Sequence, residues 1–364
     1  MSGARPSLCI VNYNGARHLR RSLPAAWRLR DRFAEILLVD DASTDDGPAW
    51  VAAHYPEVRI LRQPENRGPG AARNAGIAAA VSDRILFIDN DVSLQPGCVE
   101  ALSAALDAHP EAAAAQATVL YADRPEIVQY SGASAHYLGM MIPEFTDRSI
   151  AEVPAGVRGC GSLVTCCFMV DRRRLGDVRF DEDIFIYFDD HEFGLTLRER
   201  GHALLAVGEA RVLHGEGTEG MSIRALGTYS ERRVFQTIRN RWLVLAKHYP
   251  GGTLAVLAPA LLLFETAQFA MALRRGWLGP WRRAVAWIWR HRRALARKRG
   301  GTLARQRVPL ARLLQGGPLP LRPEVAATGF ERWLIRGLDR IFAAYWRLVA
   351  PLLSASSASS RSNH

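Results

Sequence analysis

Short apolar runs that end in polar side chains recur through the first 90 residues and alternate with helical patterns. The runs are SLCIVNYN (7–14), EILLVDDAST (35–44), VRILRQ (58–63) and RILFID (84–89). The helical patterns cover about 16–33, 46–54, 70–81 and 97–108. Near-continuous apolar strands that alternate with helices are typical of a mostly parallel sheet covered on both faces. We therefore predict a Rossmann-like α/β fold with flanking helices.

Polar residues follow three of these strands at the point where each strand ends. They are Asn12, Asn14, Asp40, Asp41, Asp89 and Asp91. In open parallel sheets, ligands bind beyond the carboxyl ends of the strands. One polar strand end would indicate a turn, whereas three at the same edge indicate a binding site.

Asp89 and Asp91 are separated by one residue and converge at one strand end. A divalent cation relieves the repulsion between two such carboxylates, and oxygen ligands suit Mg²⁺ or Mn²⁺. Such a metal can neutralise a departing diphosphate. The alternative is a turn with solvated acids. The second acidic strand end at Asp40 and Asp41 favours the metal site.

Two further segments carry chemical signals. ENRGPGAARNAGIAAA (65–80) is a Gly/Pro turn that feeds a helix of small residues, which suits phosphate at a helix start or a tightly packed helix without a ligand. The acidic cluster Asp189-Asp190-His191-Glu192 opens another helix, which Gly201 can cap. Residues 202–214 then indicate a strand pair ending at His214.

The charge of the chain is divided unevenly between its two parts. Residues 1–220 carry 22 Lys and Arg against 31 Asp and Glu, a net of −9, whereas residues 221–364 carry 25 against 5, a net of +20. The acidic part would repel a polyanion unless a metal intervened. The basic part should attract one, either phospholipid or nucleic acid.

The basic part reads as a membrane-associating helical region. Residues 254–273 are apolar and long enough to span a bilayer, but they contain Pro259 and Glu265. Residues 277–300 and 330–353 combine apolar helical stripes with arginines, the pattern of helices that lie on anionic membranes. We predict peripheral or re-entrant attachment, followed by a disordered tail over 354–364.

Seven segments of the chain resemble the family 2 glycosyltransferases, which are inverting enzymes of the GT-A fold. The segments are IVNYNG (10–15), LLVDDASTDDG (37–47), ENRGPGAARNAGI (65–77), LFIDNDV (86–92), FDEDIFIYFDDHEFGLTLRERG (180–201), VLH (212–214) and RNRWLVLAK (239–247). Their order and spacing also fit. The chain is most similar to the bacterial rhamnosyl- and galactofuranosyltransferase-like branch, and DDHEFGL leans toward the galactofuranosyl side.

The resemblance implies a role for each matching residue. Asp190 would be the general base, beside Asp189, which stands where Glu is usual. Asp89 and Asp91 match the DxD motif, and His214 could complete the metal site or be a structural histidine. The nucleotide sugar would contact Asn12, Asn14, Asp40, Asp41, Asn66, Arg67, Asn74, Asp89, Arg239 and Asn240, the last two near the acceptor or the phosphates.

The resemblance predicts a GT-A domain over 1–250 and a helical membrane-associated region over 251–353. The expected reaction moves a sugar from a nucleotide-diphosphate sugar to a glycan or lipid-linked acceptor in cell-surface polysaccharide synthesis, with Mg²⁺ or Mn²⁺. No charged-then-apolar segment begins the chain, so we expect it at the cytoplasmic face of the inner membrane.

Two other functions compete with this prediction. A nucleotidyltransferase of sugar metabolism also has an acidic metal site, but IVNYNGARHL lacks its usual Gly-rich, Lys/Arg phosphate loop. A nucleic-acid-binding protein could use the basic part. Its tryptophans form apolar helical stripes rather than exposed stacking platforms, so we expect no nucleic acid partner.

Overall fold

The structure, a computed structural model, describes residues 5–215, 230–319 and 328–359. The chain divides into two compact units. The first comprises Met1–Ala133, Pro143–Leu197 and His202–Thr228, and the second comprises Ser134–Ile142, Arg198–Gly201 and Tyr229–His364. The second unit is therefore assembled from three separate segments of the chain.

The strands among the described residues lie mostly in the first 215 residues. They are β1 Ser7–Asn12, β2 Glu35–Asp40, β3 Arg59–Arg62, β4 Arg84–Asp89, β5 Val92–Leu94, β6 Ala112–Tyr121, β7 Val128–Tyr130, β8 Ala133–His136, β9 Met140–Pro143, β10 Val157–Gly159, β11 Cys167–Asp171, β12 Ala203–His214 and β13 Leu314–Gln315. The four strands predicted from the first 90 residues are all present as β1 to β4.

Helices follow the strands in the first unit and dominate the second. They are α1 Ala16–Trp27, α2 Gly47–His54, α3 Pro69–Ala79, α4 Cys98–Ala108, α5 Arg172–Leu175, α6 Asp189–Glu199, α7 Glu231–His248, α8 Gly251–Arg274, α9 Leu278–Ala304 and α10 Gly329–Ser359. Short 3₁₀ helices cover Arg30–Arg32, Ile150–Glu152 and Leu310–Arg312.

The main sheet of the first unit has the order β10-β12-β6-β11-β4-β1-β2-β3, with β5 pairing β12 and β7 pairing β6. Strands β3, β2, β1 and β4 are parallel, β11 runs against β4 and β6, and β6 and β12 are parallel again. The sheet is therefore mostly parallel, as predicted. Parallel pairing brings the carboxyl ends of β1, β2 and β4 to one edge.

The small residues of α3 let this helix approach the sheet closely. A methyl group added at Gly76 would lie 2.5 Å from the Cys9 sulfur and 2.9 Å from the Phe87 ring. Cys9, Phe87 and Ile77 are fully buried in the core between α3 and the sheet. Close packing of α3 on the sheet therefore explains in part why the side chains of residues 65–80 are small.

The described part of the second unit consists mainly of helices α7 to α10, with a small sheet of order β13-β8-β9. Val234 and Ile238 of α7 pack against Ala284 and Trp281 of α9. The apolar stripe of α9 that includes Trp281 is predicted from the sequence to face a membrane. Helix α7 covers part of that stripe.

Helix α8 is long and apolar enough to cross a membrane, judged by length and composition, and 11% of its most apolar window is buried. Its carboxylate Glu265 does not face outward: it is paired with Arg241 of α7, whose side chain is 1% exposed. Pro259 lies within the helix. The ion pair with Arg241 therefore reduces the free-energy cost that an unpaired Glu265 carboxylate would have in a membrane.

Two local predictions are corrected by the structure. Residues 203–214 form one strand, β12, rather than a strand pair, because a register shift between Val207 and Arg211 absorbs the irregular pattern without a turn. Helix α10 continues to Ser359, into the predicted tail. Residues 360–364 lie outside the described residues.

Candidate active site

A buried polar network joins the ends of β1 and β2. The Asn12 amide donates to Asp40 Oδ1 at 2.9 Å and to Ser43 Oγ at 3.1 Å, and it accepts from Asn90 Nδ2 at 2.8 Å. Asn14 has a left-handed backbone, φ 46°, and its side-chain Oδ1 accepts from the Thr44 N–H at 2.7 Å. These bonds fix the backbone at the ligand-binding edge of the sheet.

Asp41 holds the turn that begins α3. Its carboxylate accepts the backbone N–H groups of Arg67 at 3.0 Å and of Gly68 at 2.8 Å, and Asn66 Oδ1 also accepts from Gly68 at 3.2 Å. Burial raises the pKa of Asp41, against these hydrogen bonds. Asp41 therefore ties the β2 end to the α3 turn.

Asn74 and Arg67 connect α3 to the segment that precedes α6. The Asn74 side chain donates to the Phe180 carbonyl and to Glu182 Oε1, both at 3.0 Å, and accepts from the Phe180 N–H at 2.9 Å. Arg67 is paired with the same Glu182. In this structure both side chains position residues 180–182.

Asp89, Asp91 and His214 form a cluster whose ligand atoms all lie within 4.8 Å of one another. His214 reaches this point because the end of β12 pairs with β5, with His214 opposite Val92. Its Nε2 lies 3.2 Å from Asp91 Oδ1, and its Nδ1 lies 2.8 Å from Gln129 Oε1. Gln129 thus orients the imidazole toward the carboxylates.

The charge balance of this cluster suits a cation. Burial alone would lower the pKa of His214, but interactions with Cys166 and Asp91 outweigh burial and raise the pKa to about 10. Burial, partly offset by Arg73, raises the pKa of Asp89 to about 6. The two carboxylates are suitable ligands for Mn²⁺ or Mg²⁺, and a bound cation would replace the imidazolium proton beside Asp91.

Arg73, which sequence reasoning did not select, links the cluster to α6. Its side chain is 3% exposed, with Nη2 at 2.8 Å from Asp89 Oδ1 and Nη1 at 3.1 Å from Asp189 Oδ2. Nη2 also donates to the Thr165 carbonyl at 3.1 Å. One buried guanidinium therefore holds a DxD carboxylate and an α6 carboxylate in fixed positions.

The adjacent carboxylates Asp189 and Asp190 have different surroundings. Asp189 is buried and paired with Arg73, whereas Asp190 is half-exposed and accepts the His191 N–H at 2.8 Å. Burial and the charge of Asp189 raise the pKa of Asp190 to about 7. A half-exposed carboxylate with a pKa near neutrality can act as a general base.

The backbone just before α6 is strained. Tyr187 and Phe188 both have left-handed conformations, with φ of 64° and 68°. Such conformations cost about 1–3 kcal/mol each in bulky residues and cluster at functional sites. The strain sets the direction in which α6 begins, and Asp189 and Asp190 are its first two residues.

Residues 7–169 match the family described as Glycosyl transferase family 2. These residues contain β1 to β4, the Asp89–Asp91 pair and Arg73. This part of the chain is a family 2 glycosyltransferase domain. The match favours a glycosyltransferase over the nucleotidyltransferase and nucleic-acid-binding alternatives.

Curated relatives of the glycosyltransferase include a bacterial rhamnosyltransferase and a protein named for succinoglycan biosynthesis. N-acetylglucosaminyl-diphospho-decaprenol L-rhamnosyltransferase of Mycobacterium tuberculosis (strain CDC 1551 / Oshkosh) is 29% identical over 228 residues, which cover 56% of this chain and 74% of the relative. Succinoglycan biosynthesis protein ExoO of Rhizobium meliloti (strain 1021) is 34% identical over 146 residues, covering 40% and 38%.

Solved structures share the GT-A fold with the glycosyltransferase at low identity. GalNAc-T7, determined with UDP, GalNAc and Mn²⁺, aligns with a TM-score of 0.55 at 17% identity, over 69% of this chain and 49% of that chain. S. aureus TarS 1–349 aligns with a TM-score of 0.51 at 15% identity, over 94% and 91%. These similarities confirm the predicted fold.

The structure of the glycosyltransferase brings most of the predicted site residues into two connected groups. Asn12, Asn14, Asp40, Asp41, Asn66 and Arg67 share the strand-end network and the α3 turn, and Asp89, Asp91, His214 and Asp189 share the cluster around Arg73. Asn74 contacts residues 180–182. Arg239 and Asn240 lie on α7 in the second unit, where Arg239 Nε donates to Asn240 Oδ1 at 2.8 Å. Their predicted ligand contacts stay predictions.

Three residues of the glycosyltransferase site were missed by sequence reasoning. Arg73 had a usable signal, because a lone arginine in a helix of glycine and alanine must find a partner once that helix packs on a core. Ser43 and Gln129 had no such signal in the sequence. Their importance depends on Asn12 and His214, which are distant in sequence.

Proposed function

We propose that the glycosyltransferase moves a sugar from a nucleotide-diphosphate sugar to a glycan or lipid-linked acceptor, with inversion at the sugar carbon and with Mg²⁺ or Mn²⁺. The observation that carries this proposal is the pairing, through buried Arg73, of two acidic groups with different environments. One is the Asp89–Asp91–His214 cluster, and the other is the start of α6.

Asp89, Asp91 and His214 would hold the metal, whose charge would stabilise the departing diphosphate. Asp91 is our choice for direct contact, since Asp89 already accepts from Arg73. The ordered network of Asn12, Asp40 and Ser43 would present a fixed surface to the nucleotide. Support from outside this chain comes from the GalNAc-T7 structure, which was determined with UDP and Mn²⁺.

Asp190 would take the proton of the acceptor hydroxyl. Its half-exposed carboxylate can meet an acceptor, whereas the Asp189 carboxylate is engaged by Arg73. Arg73 would keep Asp189 ionised, and the charge of Asp189 keeps the proton affinity of Asp190 high. A direct displacement assisted by one base gives inversion.

A lipid-linked acceptor is supported by the mycobacterial relative, whose name specifies a diphospho-decaprenol substrate. Such an acceptor would require the enzyme to work beside a bilayer. The basic helices of residues 231–353 and the apolar helix α8 suit attachment at the cytoplasmic face of the plasma membrane.

The decisive experiment measures donor binding and sugar transfer with and without metal. A panel of nucleotide sugars is screened by thermal shift and by release of nucleoside diphosphate with Mn²⁺ present. Chelator should abolish turnover, and Asp91→Asn should lose donor affinity and rate together. Full activity in excess chelator would refute the metal assignment, and retention of anomeric configuration in the product would refute inversion.

A further inference from the structure

One face of α10 is exposed along most of the helix and is both apolar and basic. The large apolar side chains on this face are 45–73% exposed, and they are Trp333, Leu334, Ile341, Leu348 and Leu352. At 1.5 Å per residue this row is about 30 Å long. At 100° per residue the five side chains fall within an arc of about 100°.

A row of arginines runs beside the apolar row. Arg332, Arg336, Arg340 and Arg347 are all exposed. On a helical projection they occupy the next arc of about 80° on one side of the apolar row. An apolar stripe flanked by cations is the pattern of a helix that lies in the interface of an anionic membrane.

The two acidic residues of α10 lie outside the arcs of the apolar and arginine rows, with Glu331 on the opposite side of the helix and Asp339 about 20° beyond the arginine row. Glu331 is 5% exposed and accepts from Arg274 Nε at 2.9 Å and from Arg275 Nη2 at 3.3 Å. Asp339 is half-buried and accepts the Leu319 N–H at 3.1 Å. The exposed face of α10, within residues 332–353, therefore carries cations without acids.

The opposite side of α10 packs against its own unit. Phe342, Val349 and Leu353 are 1–7% exposed. The Phe342 ring lies 6.2 Å from that of Phe264 of α8, centroid to centroid, and the Tyr345 hydroxyl donates to the Val256 carbonyl of α8. Packing within the unit therefore explains the apolar residues on one side of α10. It does not explain the exposed apolar row on the other side.

The packing of α10 on α8 decides how the pair can meet a bilayer. Residue 345 lies beside 256 and residue 331 beside 274, so the two helices run antiparallel. If α8 crossed the bilayer, α10 would cross beside it. Exposed Arg340 would then lie level with the middle of α8, where a charge facing hydrocarbon is costly. An orientation in the plane of the membrane avoids this cost.

We propose that this face of α10, defined by the five apolar residues and the four arginines, is the surface that docks the chain on an anionic lipid bilayer. The apolar row enters the headgroup boundary and the arginines contact lipid phosphates. The inference rests on the proposed membrane attachment and names the surface that produces it. It does not depend on which sugar is transferred.

Charge favours lipid over a second copy of the chain. A symmetric dimer through this face would bring two arginine rows together, with no carboxylate on either described face to pair them. Anionic lipid supplies phosphate along the whole row. Each arginine near such a surface strengthens binding by about 5-fold, so removing two should weaken binding roughly 30-fold.

The test is co-sedimentation of the full chain with vesicles of phosphatidylcholine alone and of phosphatidylcholine mixed with phosphatidylglycerol. The parent should bind the anionic vesicles preferentially. The double variant Arg336→Gln/Arg340→Gln should bind them roughly 30-fold more weakly. Leu348→Glu should weaken binding roughly 10- to 100-fold, because it removes a leucine from the apolar row and adds a charge.

Matched controls alter the same chemistry elsewhere. Val81→Glu changes a residue of the first unit that is 64% exposed, and Arg21→Gln/Arg28→Gln removes two exposed cations, one within α1 and one directly after it. Both should bind anionic vesicles like the parent. Melting temperature and nucleotide-sugar hydrolysis in solution, measured for every variant, verify that the chain is folded.

Each other outcome contradicts a defined part of the proposal. If the parent binds anionic vesicles and the α10 variants bind equally well, the attachment stands and the surface is wrong. If the parent ignores anionic vesicles but hydrolyses nucleotide sugar, both the attachment and the surface fail while sugar transfer stands. Dimerisation by light scattering that Leu348→Glu abolishes, without vesicle binding, would assign the face to a second copy.

Discussion

At the scale of single residues, Asp189 and Asp190 are chemically identical neighbours with different assignments. Asp189 is buried against Arg73, and Asp190 is half-exposed with its pKa raised to about 7. Successive side chains at a helix start point about 100° apart, so Asp189 lies in the core while Asp190 lies nearer the surface. We therefore propose Asp190 as the base from its environment rather than from its residue type.

Replacing the proposed base tests this assignment. Asp190→Asn keeps the shape and removes the basicity, so turnover per folded molecule should fall by roughly 10²–10⁴-fold. Donor affinity should barely change, because the base meets the acceptor. The measurement pairs steady-state transfer with donor titration. Near-normal turnover with a lowered melting temperature would make Asp190 a helix cap and move the assignment to Asp189.

The raised pKa of Asp190 also predicts a pH dependence. The carboxylate must be ionised to act, so the rate at saturating donor and metal should rise with pH and level off above about 7. The folded-state pKa lies above the usual value of 3.8, so the fold loses stability as the pH rises from about 4 to about 7, and the loss is complete above pH 7. Asp190→Asn should therefore raise the melting temperature at pH 8 relative to the parent, and not at pH 4. A rate that is flat down to pH 5 would contradict the assignment.

Arg73 predicts a large loss of stability from a single substitution. Arg73→Met leaves Asp89 and Asp189 without their buried partner, which should lower the free energy of unfolding by roughly 3–5 kcal/mol. The control Arg148→Met breaks the exposed pair with Glu152, 3.4 Å apart, and should change it by less than about 1 kcal/mol. Urea denaturation of both variants gives the comparison; equal effects would show that Arg73 is not a structural link.

At the scale of elements, the contact between α3 and β1 predicts the effect of one methyl group. Gly76→Ala forces a carbon into the Cys9 sulfur and the Phe87 ring, so it should destabilise the chain by about 1–3 kcal/mol despite the better helix propensity of alanine. Gly159→Ala in β10 meets no atom within 4 Å and serves as the control. Thermal unfolding of the two variants measures the difference; a stabilised Gly76→Ala would mean that α3 lies farther from the sheet.

The elements differ in how far sequence predicts them. Strands β1, β2 and β4 are apolar runs bounded by polar residues. The local pattern therefore predicts these strands and places Asp89 and Asp91 at the end of one of them. The β12–β5 pairing that brings His214 to the cluster depends on contacts across about 120 residues and is not predicted by local pattern; only the role of His214 follows from the resemblance. The stripes of α9 and α10 look alike in sequence, because periodicity reports an apolar face but not which neighbour covers it.

At the scale of the whole molecule, the separation of charge predicts how the protein leaves a membrane. Residues 221–364 carry 25 cations against 5 acids, so attachment should depend strongly on salt. Raising salt to about 1 M shortens the screening length from about 8 to about 3 Å. We expect high salt without detergent to move most of the protein from the membrane to the soluble fraction of a cell lysate. Release by detergent alone would instead indicate that α8 spans the bilayer.

The second unit is built from three stretches of chain, and two of these, Ser134–Ile142 and Arg198–Gly201, lie inside the sequence of the first unit. Strand β13 pairs with β8, and Tyr137 stacks on Trp346 of α10 at 4.9 Å between ring centroids. A recombination event that exchanged everything after residue 228 would leave this tyrosine and the buried His136 without their partners. New carboxyl-terminal regions can therefore be grafted onto this glycosyltransferase only when residues 134–142 and 198–201 are inherited with them.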